Sequence, residues 1–174
     1  GEIRSFNNGS GTVNITAQSL LLDNSANGTV VGAGAMSGSL NMTAATITIG
    51  QNALAVDQFR SVTLNASGGI LMQGSGSFRA QGALNAVTPF FRASSNASQT
   101  FAAAGALSLA RPAGPQTSPA SLGLGAQLSF EGSSISAGTD ILLPSGLISL
   151  HSITGALTVD GVLDAGGAAL SFFD

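Results

Sequence analysis

An apolar–polar–apolar triplet returns eight times along this chain and constrains the fold more than any other feature. It first appears as Val13-Asn14-Ile15. It recurs as Leu40-Asn41-Met42, Val62-Thr63-Leu64, Leu84-Asn85-Ala86, Leu107-Ser108-Leu109, Leu128-Ser129-Phe130, Ile148-Ser149-Leu150 and Leu170-Ser171-Phe172. The steps between first positions are 27, 22, 22, 23, 21, 20 and 22 residues. Side chains alternate faces along a strand, so the outer two residues of each triplet point inward together and the middle one meets solvent. That middle residue is always Asn, Thr or Ser. A helix would need apolar residues three and four apart, a spacing the triplets lack.

Most units carry a second apolar pair. Leu20 and Leu22 follow Val13, Ile47 and Ile49 follow Leu40, and Ile70 and Met72 follow Val62. Each period therefore holds at least two short strands with a bend between them. A repeat of this length marks a solenoid, in which every turn buries its apolar face on its neighbours. The expected fold is all-β: a right-handed parallel β-helix of about seven to eight turns with a period near 22 residues. The alternative is an antiparallel sandwich, whose short strands and Gly-rich turns have similar spacing. The near-constant step favours the solenoid.

The expected core ladder is Val13, Ile15, Leu40, Met42, Val62, Leu64, Leu84, Leu107, Leu109, Leu128, Phe130, Ile148, Leu150, Leu170 and Phe172. Residues 1–174 read as a single domain. Irregular insertions are expected near 24–37, where the step lengthens, near 88–104, where Pro89 should interrupt pairing, and near 111–121. The last contains Pro112, Pro115 and Pro119 and reads as a protruding loop, the place where a rigid scaffold most often carries binding.

Composition narrows the function. Charged residues make up 7 % of the chain, Lys, Cys, Trp and Tyr are absent, and the net charge is −3. Arg4, Arg60, Arg79, Arg92 and Arg111 are scattered, which does not make the clustered basic face that nucleic acid needs. No apolar run is long enough for a membrane helix, and a membrane barrel would need aromatic girdles of Trp or Tyr. Without cysteine there is no disulfide scaffold. His151 stands alone just past a triplet, pointing outward. Asp160 and Asp164 flank a Gly turn, a spacing that suits turn capping as well as paired acid–base work. Neither a calcium-binding nonapeptide nor an EF-hand loop occurs. No catalytic residue, metal or cofactor is expected. Six Asn-x-Ser/Thr sequons, at Asn8, Asn14, Asn27, Asn41, Asn65 and Asn96, are acceptors for glycosylation in a secreted protein, though Ser and Thr are abundant enough here to create such triplets by chance.

The segments Gly11-Thr-Val-Asn-Ile-Thr-Ala17, Gly38-Ser-Leu-Asn-Met-Thr-Ala44, Ser61-Val-Thr-Leu-Asn-Ala-Ser-Gly-Gly-Ile-Leu71 and Gly155-Ala-Leu-Thr-Val-Asp-Gly161 resemble the repeats of filamentous haemagglutinin-type exoproteins. Those are large bacterial proteins exported by two-partner secretion. The resemblance covers most of residues 11–174 and weakens over 88–121. The family's secretion domain carries Asn-Pro motifs, and this chain has none, so the resemblance implies an interior shaft segment. It further implies a secreted or cell-surface location, an outer-membrane secretion partner, and adhesion, aggregation or biofilm formation by contact with host or bacterial surfaces and glycans. Two other functions fit a solenoid: a self-assembling extracellular filament subunit, whose end turns stack copy on copy, and a carbohydrate-active β-helix enzyme.

Overall fold

The computed structural model describes residues 1–6, 9–29, 32–115 and 123–167. Among them there is no helix, and every strand pairing is parallel. The chain is a β-solenoid of about six turns with a period near 23 residues.

Each full turn lays down three strands on three faces. The first face stacks β1 (Glu2–Arg4), β6 (Asn52–Asp57), β9 (Ser75–Ala80), β12 (Ser98–Ala103), β14 (Gln127–Gly132) and β17 (Leu147–Ser152). The second stacks β2 (Thr12–Thr16), β4 (Ser39–Ala44), β7 (Ser61–Ala66), β10 (Ala83–Val87), β13 (Leu107–Ala110), β15 (Ile135–Ala137) and β18 (Leu157–Val159). The third stacks β3 (Ser19–Leu22), β5 (Thr46–Ile49), β8 (Ile70–Met72), β11 (Phe90–Ala93), β16 (Asp140–Leu142) and β19 (Leu163–Asp164).

Alternation sets which side chains enter the core. On the second face Leu40, Val62, Leu84, Leu107 and Ile135 form one buried column and Met42, Leu64, Ala86, Leu109 and Ala137 the next. Leu54, Phe78, Phe101, Phe130 and Leu150 are in register on the first face, and Ile47, Ile70, Phe91 and Ile141 on the third. Phe78 and Phe101 stack with centroids 5.4 Å apart, and Phe91 meets Phe101 and Phe130 edge-on at 5.5 and 5.2 Å. Offset and edge-to-face pairs are the favoured aromatic geometries.

Two turns each omit a strand. The second turn has none on the first face, so β1 pairs directly with β6, Arg4 opposite Asp57. The fifth turn has none on the third face, so β11 pairs directly with β16, Phe91 opposite Ile141. The omitted strands correspond to connections around 23–38 and 111–126, in which the described residues form no strand.

Both gaps are closed by buried polar side chains. At the first, the Asn24 amide donates to the carbonyls of Ala53 (2.8 Å) and Gly28 (3.1 Å) and accepts from the Gly28 N–H (2.9 Å). At the second, the Thr139 hydroxyl donates to the Thr88 carbonyl, and Thr88 Oγ1 donates to the carbonyl of Phe90 at 3.1 Å. Thr88 and Thr139 have no solvent exposure. Losing one partner of a buried hydrogen bond costs about 1–3 kcal/mol. Thr139→Val, which keeps the shape and deletes the donor, is expected to destabilise by that amount in denaturant unfolding; an unchanged midpoint would remove Thr139 as a stitch.

Several sequence expectations are corrected here. The triplets at Leu128 and Ile148 lie on the first face, in β14 and β17, rather than continuing the column of Val13 to Leu107. The second face continues instead through Ile135-Ser136-Ala137 and Leu157-Thr158-Val159. From Leu107 to Ile135 the step is 135 − 107 = 28 residues, because a connection replaces a strand between them. The segment 88–104 is no insertion: it carries β11 and β12, each paired on both sides. Pro89 sits at the corner before β11, where no ladder bond needs its missing N–H. The turn count drops from seven or eight to about six. Leu170 and Phe172, the eighth triplet, lie outside the described residues, as do Val30 and Val31 within the insertion expected near 24–37.

Val13 and Ile15 occupy the expected inward columns but are 38 % and 37 % exposed, because β2 is the first strand of its sheet and no rung lies beneath it. The last strand of that sheet behaves likewise, with Leu157 45 % and Val159 44 % exposed.

Candidate functional site

The outward positions of the rod divide by chemistry. No strand of the second face contains Asp, Glu, Lys, Arg or His. Its outer middle column runs Asn14, Asn41, Thr63, Asn85, Ser108, Ser136, Thr158. On the first three rungs hydroxyls and amides flank it on both sides: Thr12, Ser39 and Ser61 on one, Thr16, Thr43 and Asn65 on the other. These groups bond along the rod axis. Thr12 and Ser39 hydroxyls meet at 3.0 Å, the Asn41 amide donates to Asn14 Oδ1 at 3.0 Å, and Asn65 donates to Thr43 Oγ1 at 3.4 Å. The result is a sheet of neutral donors and acceptors at the strand spacing of about 4.8 Å.

Hollows border this sheet on both sides. One, of about 480 Å³, runs along the edge toward the third face over Ala17, Thr43, Ala45, Asn65 and Ser67, with Pro112 at its end. The other, of about 330 Å³, lies over Ser10, Gly38, Ser39, Arg60 and Ser61. Of the three prolines expected to mark a binding loop, Pro112 therefore reaches a groove, Pro115 is exposed, and Pro119 lies outside the described residues.

The charges gather elsewhere. On the first face Ala55, Arg79, Ala102, Glu131 and His151 are in register as one outward column. Arg79 and Glu131 reach across the small Ala102 to form an ion pair of 3.1 Å, and Ala102 beneath them is 4 % exposed. His151 is exposed and stands opposite Glu131 in the sheet. At the corner between the second and third faces Arg111, the residue after β13, pairs with Asp140 of β16, whose carboxylate also accepts from the Val162 N–H at 2.9 Å. Asp160 follows β18 on the second face, and Asp164 lies in β19 on the third, its carboxylate accepting from the Gly166 N–H at 2.9 Å.

Asp57 has a clearly displaced ionisation. It points outward from β6 yet is 7 % exposed. Burial, first, and the Glu2 carboxyl hydrogen-bonded to it, second, raise its pKa, while Arg4 pulls it down. A carboxyl with a raised folded pKa binds its proton more tightly folded than unfolded. Stability is then greatest below the ordinary carboxylate value and falls as pH rises through the raised one. The stability that Asp57 contributes is expected to grow as pH falls through its raised value toward the ordinary carboxylate range, and Asp57→Asn to remove that part of the pH dependence in a series of thermal melts. A variant with the wild-type slope would refute this assignment.

The segregation of charge was missed in the sequence, where the charged residues appear scattered over the repeat. Register exposes it: Arg79 and Glu131 are far apart in the chain but two rungs apart on one face.

Among the sequons, Asn14 and Asn41 are bonded to each other, and Asn27 and Asn96 adopt left-handed turn conformations at φ 51° and 57°. Asn8 lies outside the described residues. Comparison of the chain with protein-family models, curated proteins and solved structures finds no match.

Proposed function

We propose that this chain is a non-enzymatic structural shaft of a secreted, cell-surface bacterial adhesin, and that it meets its target through the second face. The observation that carries the reading is the seven-stranded sheet whose strands contain no charged side chain, borne on a rod whose ion pairs lie on the first face and at the corner to the third. A long, continuous core suits a load-bearing shaft, since each turn is held by its neighbours. A neutral surface of hydroxyls and amides suits uncharged partners on host or bacterial surfaces, glycans among them, and its contacts are little screened by salt. Two-partner secretion, with an outer-membrane partner, is the export route that the repeat resemblance supports.

The test is adhesion of the purified segment to bacterial and epithelial cell surfaces across ionic strength. The reading expects binding that persists at high salt and is lost when Asn41, Thr63 and Asn85 are together replaced by Glu. Absence of binding removes the adhesive part and leaves the shaft. Binding that disappears with salt, untouched by the triple replacement, would move the contact to the charged faces.

A second reading is a filament subunit whose copies stack end to end, since a sheet of parallel rungs with no charged side chain in its strands can be continued by the same surface of another copy. Electron microscopy separates the two: uniform filaments from purified chain support assembly, and short monodisperse rods support a shaft segment.

A further inference from the structure

We propose that residues 32–37 form a strap over the first face, and that the strap is held down or released according to whether the Glu2 and Asp57 carboxyls beneath it share a proton. The segment belongs to the connection that replaces the omitted strand of the second turn, so no ladder secures it. Its anchors are few. Gln81 Nε2 donates to the Gly34 carbonyl at 2.7 Å, and Gln81 Oε1 accepts from the Gln58 N–H at 2.7 Å. The Ser37 N–H donates to the Gln58 carbonyl at 2.8 Å, and Arg60 Nε reaches the Met36 carbonyl at 3.4 Å. Arg4 supplies the last, donating to the Gly32 carbonyl at 3.1 Å. A segment held only by such bonds sits at the low end of local stability.

Arg4 joins this strap to the carboxyl pair. The nitrogen that holds Gly32 also lies 2.6 Å from Glu2 Oε1, and Arg4 Nε donates to the same oxygen at 2.7 Å. Asp57 stands opposite Arg4 in the sheet and is hydrogen-bonded to Glu2. With one proton between them, the two carboxyls carry one negative charge, which the guanidinium balances. Without it, two negative charges face one partly exposed cation, and Asp57 itself is only 7 % exposed. Repulsion separates the carboxylates, the guanidinium follows them, and the buried charge of Asp57 gains by admitting water, which requires the strap to lift. Asp57's raised pKa agrees with the proton being held in the closed form.

Of the other charged groups nearby, the Gly1 ammonium beside Glu2 donates to the carbonyls of Gly28 and Ala53 at 2.7 and 2.8 Å. Arg79 on β9, level with Ala55, is paired with Glu131, and Arg60 lies against Met36. The strap itself, Gly-Ala-Gly-Ala-Met-Ser, has no titratable side chain.

Hydrogen exchange of the amides of residues 34–37, corrected for the intrinsic rate at each pH, tests the device from the ordinary carboxylate range up to neutrality. Wild-type protection is expected to fall about fivefold or more with rising pH, the lower range of coupled equilibria. Asp57→Asn and, independently, Glu2→Gln should hold protection constant, since neither leaves two carboxylates to repel. Arg4→Met should lower it at every pH. Flat protection in the wild type, or the wild-type slope in both carboxyl variants, would overturn the proposal. Neither result bears on adhesion by the second face.

Discussion

Phe101→Ala is expected to destabilise the protein by about 3–5 kcal/mol, the cost of truncating a fully buried aromatic. Phe101 is 1 % exposed and lies mid-column between Phe78 and Phe130, with Phe91 entering from the third face. Four rings thus share one stretch of core, and deleting the central one leaves a void that three rigid neighbours cannot fill. Leu163→Ala gives the contrast: Leu163 is 39 % exposed and should lose well under about half as much. Chemical denaturation of both variants makes the comparison. If Phe101→Ala costs no more than Leu163→Ala, the solenoid core is not packed as described.

Gly82→Ala should be nearly as damaging, for a reason unrelated to burial of apolar surface. A Cβ at this position would lie 2.2 Å from the Arg60 carbonyl oxygen and 2.4 Å from that of Phe59. Those atoms belong to the corner of the turn below, where the Arg60 carbonyl accepts from the Ala83 N–H at 3.0 Å. No side-chain rotation relieves the clash; the rungs must part. Overpacking costs about 1–3 kcal/mol, occasionally more, and Gly82 should fall at the top of that range. Gly32→Ala, with nothing within 4 Å of the added carbon, should be close to neutral. Equal melting temperatures for the two variants would contradict the close stacking of corners.

The triplets disclosed the fold because a parallel solenoid writes its register into the sequence. Val13, Leu40, Val62, Leu84 and Leu107 are true successors in one column. The reading then changed face without notice. Leu128-Ser129-Phe130 has the same pattern as its predecessors and arrives 21 residues after Leu107, so spacing alone accepts it. Strands on all three faces obey one alternation, and a triplet does not say which face it occupies. The omitted strand of the second turn left a trace in the 27-residue step, whereas that of the fifth was masked by this substitution. Pro89 misled in the opposite direction: a proline breaks a ladder only inside a strand, and this one turns a corner. As for the candidate surface, the Asn and Ser/Thr ladders were legible as solvent-facing. That ions avoid one whole face was not, since it depends on pairing partners more than twenty residues apart. The strap reads as an irregular stretch, but nothing in its six residues, five of them small, indicates that it lies on Arg4 and Gln81.

The omitted strand of the fifth turn has a mechanical consequence. Peeled from the end of β19 under tension, a regular rod would surrender one turn at a time, each step lengthening the chain by about 80 Å for 23 extended residues. Here the sixth turn rests on the fifth across two faces but on the fourth across the third, through β16 on β11 and Thr139 on Thr88. Pulling the sixth turn away uncovers both turns below it at once. The force trace should therefore show a tall peak at that turn, followed by a weaker, longer extension as its two uncovered neighbours give way together.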